Sequence, residues 1–141
     1  MNKGKLINPC ILAAVSRLGH GDKILIADGN YPLASKTADA EKIWVSLSPG
    51  LPTVTDVLDA LQSVINVEEA TVMQPSEGPD PEIFEEFESR LPGMKLRRVD
   101  RFGFYDECSN PSLRLAIATG EQRTFANLLI TLGCALSIIL V

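Results

Sequence analysis

The chain predicts an α/β fold of three layers around a mixed central sheet, and three observations carry that expectation. Short apolar runs with strand character alternate with segments whose apolar residues recur every three or four positions. Capping and turn residues separate these runs. The last strand-like segments follow one another too closely for helical crossovers, so part of the sheet must be antiparallel. At 141 residues the chain reads as a single domain over residues 1–141, able to bury about two-thirds of the surface its unfolded form exposes.

Taken in order, Asn8 suits an N-cap and Pro9 the first helical position, with Ile11, Leu12, Val15 and Leu18 on one face. Gly19 suits the left-handed position after that helix. His20, the only histidine, then opens the loop. Lys23 to Ala27 reads as a buried strand that ends in the turn chemistry of Asp28-Gly29-Asn30 and Tyr31-Pro32. Lys42 to Ser48 predicts a second strand and Pro49-Gly50-Leu51-Pro52 a break. A helix follows from about Thr55 to Ile65, with Val57, Leu58, Leu61, Val64 and Ile65 at helical spacing. Ala70 to Gln74 predicts another strand. Asp80 and Pro81 then supply a cap and a first-turn proline for a helix whose Ile83, Phe84, Phe87 and Leu91 face inward, while Glu82, Glu85, Glu86 and Glu88 face water. The last third predicts a strand from Met94 to Asp100, a short irregular or helical segment from Arg101 to Glu107, a strand from Leu113 to Thr119, a turn at Gly120-Glu121, and closing strands after Phe125.

Composition narrows the function. Thirteen Lys and Arg stand against 18 Asp and Glu, a net charge of −5, with no basic run to track phosphates, so nucleic acid is not an expected partner. Cys10, Cys108 and Cys134 are odd in number, far apart and without a C-x-x-C pair, which fits reduced thiols in a cytoplasmic protein. The apolar stretch near the start ends at Ser16-Arg17 and is too short for an export signal. Asn127 to Val141 is apolar, but Gly133 interrupts it and it falls short of the roughly 20 residues a bilayer-crossing helix needs. It reads as buried strand structure, with no membrane contact expected.

Absent motifs remove whole reaction classes. There is no nucleophile elbow G-x-S-x-G, no phosphate-binding G-x-x-x-x-G-K-[ST] and no dinucleotide fingerprint G-x-G-x-x-G. One histidine cannot build a C-x-x-C…H-x-x-H or H-E-x-x-H zinc site, so no metal is expected. What remains is His20 as a general acid or base, since an imidazole both gives and takes a proton near pH 7. The same residue also fits a partner for the dipole of the preceding helix. Asp28, at a strand's end, fits a turn residue bonding local N–H groups and equally an acceptor for ligand hydroxyls, because open α/β sheets bind ligands beyond their strands' carboxyl ends. Arg101 fits a ligand contact or a surface pair with Asp100 or Asp106. Asn127 fits a backbone bridge or a sugar-binding amide, with donors and an acceptor in one plane.

Three motifs in order, G-H-G-D within Ser16 to Pro32, D-R-F-G-F-Y within Asp100 to Glu107, and T-G-E-x-x-x-F-x-N within Ala118 to Ile130, give the chain a resemblance to the ribose pyranase and fucose mutarotase (RbsD/FucU) family. The resemblance implies an RbsD-like α/β subunit in a ring-shaped homodecamer with binding sites at subunit contacts. It implies a cofactor-free isomerase that opens and recloses the hemiacetal ring of a monosaccharide. His20 matches the family's proton donor, Asp28 the carboxylate holding sugar hydroxyls, Arg101 a basic sugar-binding position, and Phe125, Ala126 and Asn127 a segment lining the site. Tyrosine is common in the family where this chain has Phe125, so Tyr105 or Tyr31 would have to supply a hydroxyl if one is needed. The arginine in D-R-F and the glycine in G-H-G-D look more like the L-fucose branch, with D-ribose pyranase as the alternative and a non-catalytic sugar-binding or regulatory protein as a third reading. His20 precedes a strand that Asp28 follows, which separates them by up to roughly 25 Å in extended chain. The expectation is therefore a site completed by a neighbouring subunit or by a loop folding back.

Overall fold

A computed structural model describes residues 1–135. Ten elements follow in chain order: α1 (Pro9–Val15), β1 (Lys23–Ala27), β2 (Glu41–Trp44), α2 (Val54–Gln62), β3 (Val67–Met73), α3 (Ile83–Arg90), β4 (Arg97–Val99), α4 (Arg101–Glu107), β5 (Leu113–Ala118) and β6 (Leu128–Leu132). The six strands form one sheet in the order β2-β5-β1-β6-β3-β4. β5 runs parallel to β1 and β2, and β3 parallel to β4, while β6 lies antiparallel between β1 and β3. The sheet is thus mixed, as the close spacing of the late strands predicts, with β6 reversed.

Alternation along the strands separates two cores. Ile24 and Ile26 of β1, Leu115 and Ile117 of β5, and Leu128 and Ile130 of β6 pack with α1, α2 and α3 on one face. Leu25, Ala116 and Leu129, one residue out of phase, face the other layer, where Phe104 and Cys108 meet Tyr31 and Leu33. Here α4 and the segment after β1 form the third layer. Phe104 is fully buried and fixes α4 to the sheet.

Local signals explain where most elements start. Asn8 accepts the Ile11 N–H at 3.0 Å, with Pro9 in the first turn. Thr53 opens α2 in a reciprocal capping box with Asp56, and Asp100 opens α4 by accepting from Gly103 N–H at 2.7 Å. Several expectations need correction. α1 ends on Ser16 in ordinary helical conformation, and Gly21, at φ 90°, takes the left-handed position expected of Gly19. Asp80 does not cap α3. Its carboxylate accepts from Arg98 at 2.7 Å and Gln74 at 3.1 Å, and the helix starts beyond Glu82 with no side-chain cap. Glu86 is not simply solvated, because it pairs with Arg123. β2 stops at Trp44, after which the chain turns so that Leu47 N–H reaches Leu51 O at 2.9 Å. β4 shrinks to three residues. After Phe125 one strand, β6, is found among the described residues, and the expected strand character of residues 136–141 lies outside them.

Candidate functional site

Because every strand but β6 points the same way, the carboxyl ends of β1 to β5 and the amino end of β6 share one edge of the sheet. Asp28 follows β1, Asn127 precedes β6, and the antiparallel pairing of Ile26 with Leu128 brings the two together. The Asp28 N–H donates to Asn127 Oδ1 at 2.8 Å, which orients the amide and leaves Nδ2 as its donor end. Asp28 Oδ1 accepts from Asn30 N–H at 2.9 Å and Oδ2 from Ala126 N–H at 3.2 Å. Both expectations for Asp28 and Asn127 as local bridges are therefore met. The same bonds also fix them at the rim of a cleft.

That cleft, of about 210 Å3, is lined by Asp28, Asn30, Tyr31, Met73, Arg101, Tyr105, Thr124, Phe125 and Asn127. Four of the six expected site residues, Asp28, Arg101, Phe125 and Asn127, line it directly. Ala126 is fully buried behind them and contributes its N–H to Asp28. Burial raises the Asp28 carboxyl above its ordinary value, against the opposing pull of the N–H groups of Asn30, Ala126 and Tyr31. Phe125 holds a left-handed backbone at φ 55°, a strained conformation for a bulky residue. The N–H that follows it, of Ala126, is the one that donates to Asp28 Oδ2.

Arg101 forms no ion pair with Asp100 or Asp106 among the described residues. Its Nε donates to Tyr105 Oη at 3.1 Å, one turn along α4, and its guanidinium carbon sits 5.6 Å from the Tyr105 ring centroid. Tyr105 keeps its own hydroxyl proton to donate into the cleft. Tyr31 cannot substitute in this way, since its hydroxyl already donates to Lys36 O at 2.9 Å and its ring is packed edge-on against Phe104 and Tyr105. The i, i+4 spacing of Arg101 and Tyr105 was the sequence signal for this pair. Nothing in the sequence pointed to Met73 or Thr124.

His20 lies elsewhere. The loop carrying it is pinned to the far end of β6, with Gly21 N–H donating to Leu132 O at 3.0 Å and Leu132 N–H to Asp22 O at 2.9 Å. That is the amino edge of β1, whose five residues at about 3.3 Å each put the strand ends on the order of 15 Å apart. The loop does not fold back over the sheet. The helix-dipole reading of His20 also fails, because α1 ends at Val15 and the imidazole Nε2 instead meets Glu68 Oε2 at 2.6 Å. The His20 side chain is 55% exposed, open to anything that docks on this edge. Among the described residues no three His, Cys, Asp or Glu side chains are grouped to hold a metal ion, and no helix is long and apolar enough to cross a membrane.

The chain matches the model of the RbsD / FucU transport protein family over residues 1–135 and belongs to that family. It is 31% identical to a D-ribose pyranase of Clostridium novyi, over 94% of this chain and 98% of that one, and 27% identical to a D-ribose pyranase of Geobacillus kaustophilus, over 97% of each. Among solved structures it resembles Bacillus subtilis RbsD complexed with D-ribose, with a TM-score of 0.84 at 26% identity, covering 96% of this chain and all of the other. It also resembles a fucose mutarotase from Streptococcus pneumoniae in complex with L-fucose, with a TM-score of 0.79 at 26% identity over 92% and 95% of the two chains. The RbsD-like α/β fold expected from the three motifs is the fold observed.

Proposed function

We propose that this protein is a monosaccharide mutarotase acting on L-fucose or a related sugar, with His20 as proton donor. The observation that carries the reading is the cleft of Asp28, Arg101, Tyr105, Phe125 and Asn127, of about 210 Å3, which offers hydroxyl-binding donors and acceptors around a volume fit for one sugar ring. Family membership and the sugars named with two structural neighbours support it.

The reaction is an acid-base cycle with no net redox change. A proton is delivered to the ring oxygen as the anomeric hydroxyl loses its own, the bond from C1 to the ring oxygen breaks, and the anomeric carbon becomes an aldehyde. Rotation about C1–C2 presents the other carbonyl face. Reclosure reverses both transfers and yields the other anomer, so the cycle calls for no cofactor. Asp28, Asn127 and Arg101 hold the hydroxyls, Phe125 and Ala126 shape the wall, and the Tyr105 hydroxyl does the work of the phenol missing at Phe125.

His20 and the cleft stand on opposite edges of one sheet, so the reading requires a second copy whose His20 edge closes over this chain's cleft. A ring-shaped homodecamer supplies such head-to-tail contacts at every step. The exposed Trp44, Leu47 and Leu51 suit such burial. Three free cysteines fit action in the cytoplasm.

A second reading, D-ribose pyranase, is favoured by the names of the sequence relatives. It needs the same steps, except that the open aldehyde recloses on the C4 hydroxyl to give the furanose. NMR saturation transfer between the ring forms of L-fucose, D-galactose and D-ribose separates the two. Accelerated exchange for L-fucose, reduced about 10²- to 10⁴-fold in His20→Gln with sugar affinity kept within about tenfold, is the expected result. Acceleration of D-ribose alone selects the pyranase, and no acceleration for any sugar leaves a binding protein.

A further inference from the structure

We infer that Arg123 is a positioning residue for the cleft, fixing where Thr124 and Phe125 stand; the inference rests on the mutarotase reading of that cleft. Thr124 and Phe125 line the cleft together with Arg101 and Tyr105 of α4. Residues 119–127 belong to neither strand nor helix. Turn and side-chain bonds must therefore place this stretch of wall. At its start Glu121 O accepts from Gly29 N–H at 2.8 Å, and at its end Ala126 and Asn127 bond Asp28. Arg123 is the anchor between those two ends.

All three guanidinium nitrogens of Arg123 are engaged. Nε donates to Glu121 Oε2 at 3.1 Å, Nη2 donates to Glu121 Oε1 at 3.2 Å and to Glu86 Oε1 at 3.3 Å, and Nη1 pairs with Glu86 Oε2. Both carboxylates are themselves fixed. Glu121 is 4% exposed, and its Oε1 also accepts from Val54 N–H at 3.4 Å where α2 begins. Glu86 stands on α3, which Phe84 and Phe87 hold in the core. A single exposed ion pair contributes little, but a planar fork across two anchored carboxylates fixes a geometry that a point charge does not.

What the anchor holds is visible two residues on. Phe125 keeps its left-handed φ of 55°, a conformation that costs about 1–3 kcal/mol and persists only where the surroundings over-determine it. Arg123 constrains it from one side and the Asp28 bonds from the other. With Arg123 released, Phe125 is free to relax, and its ring and Thr124 leave their places in the wall. Arg123 is not itself among the residues lining the cleft, so it acts on the sugar through these two. The proton donor of the proposed reaction stands on the other edge of the sheet. Loosening the wall therefore weakens the hold on the sugar in ground and transition state alike, which raises KM and spares kcat.

The test measures kcat and KM for exchange of L-fucose, D-galactose and D-ribose, with amide hydrogen exchange alongside, at a temperature where every variant is folded. In Arg123→Gln, KM for the sugar that the wild type accelerates is expected to rise about tenfold, with kcat within about twofold of the wild type. The Ala126 amide exchanges faster, while the amides of Leu25 and Ile26 in β1 keep their protection. Arg123→Lys keeps the charge without the fork and recovers part of the loss. Glu86→Gln breaks the same link from α3, reproduces part of the KM rise, and serves as the test variant if Arg123→Gln fails to fold. Adding Glu86→Gln to Arg123→Gln raises KM no further, because the link is already gone. An unchanged KM in Arg123→Gln and Glu86→Gln, or a loss confined to kcat or melting temperature, overturns the positioning role while leaving the mutarotase reading intact. A wild type that accelerates no sugar overturns that reading, and this inference with it.

Discussion

Asp28 shows how one residue meets a structural demand and fits a proposed binding role at once. The residue is 3% exposed, and its two carboxylate oxygens each accept a backbone N–H, from Asn30 and from Ala126. In Asp28→Asn one of those N–H groups faces an amide donor, which costs about 1–3 kcal/mol. The pH dependence has a definite sign. Burial raises the folded carboxyl above 3.8, so between that value and the raised one the folded state holds the proton more tightly than the unfolded chain. Stability from this group is present below that window and is lost as pH rises through it. The stability difference between wild type and Asp28→Asn is therefore expected to narrow with rising pH across the window, measured by denaturant unfolding at several pH values; a difference that widens contradicts the burial account. Asp28 itself was legible from its position after an apolar strand. The strain at Phe125 was not, because a left-handed φ at a phenylalanine is imposed by tertiary context and has no local sequence signature.

At the scale of elements, the connection between β5 and β6 is the part that positions the cleft. Gly120 packs against the turn after β2 so closely that a Cβ would lie 2.4 Å from Leu51 O and 2.5 Å from Ser48 O, both backbone atoms. Gly120→Ala is expected to lower stability by about 1–3 kcal/mol, the usual cost of overpacking, with the loss visible in thermal unfolding. Further along, Arg123 pairs with Glu86 of α3 and with the buried Glu121, whose Oε2 lies 3.1 Å from its Nε. The guanidinium holds the Glu86 carboxyl below its ordinary 4.5. Its contribution is present above 4.5 and fades as pH falls toward the lowered value. Arg123→Gln should therefore reduce the melting temperature at pH 7 and reduce it less at pH 3, and an equal reduction at both would remove this ion pair from the account. The helix starts at Asn8-Pro9 and the strand of β1 could be read directly, since caps and apolar runs are local. Asp80 and Glu86 misled for the opposite reason: each looks like a cap or a solvated charge until Arg98 or Arg123 arrives from a distant segment.

For the whole molecule, the defining feature is the division of the expected site between two edges of one sheet. The order of residues already implied it, because His20 and Asp28 flank the same strand, but the direction of β6 was needed to see that Asn127 and Phe125 join Asp28 rather than His20. On the proposed reading a second copy supplies the half of the site that stands away from the cleft. The most direct measurement is subunit complementation between His20→Gln and Arg101→Ala, both at exposed positions. Each variant assembled alone is expected to exchange sugar anomers at near-background rate. Co-assembled in equal amounts, they should regain about a quarter of the wild-type rate, because random head-to-tail mixing pairs an intact His20 edge with an intact cleft at about one interface in four. A mixture no faster than the two variants measured separately would contradict a site shared between subunits.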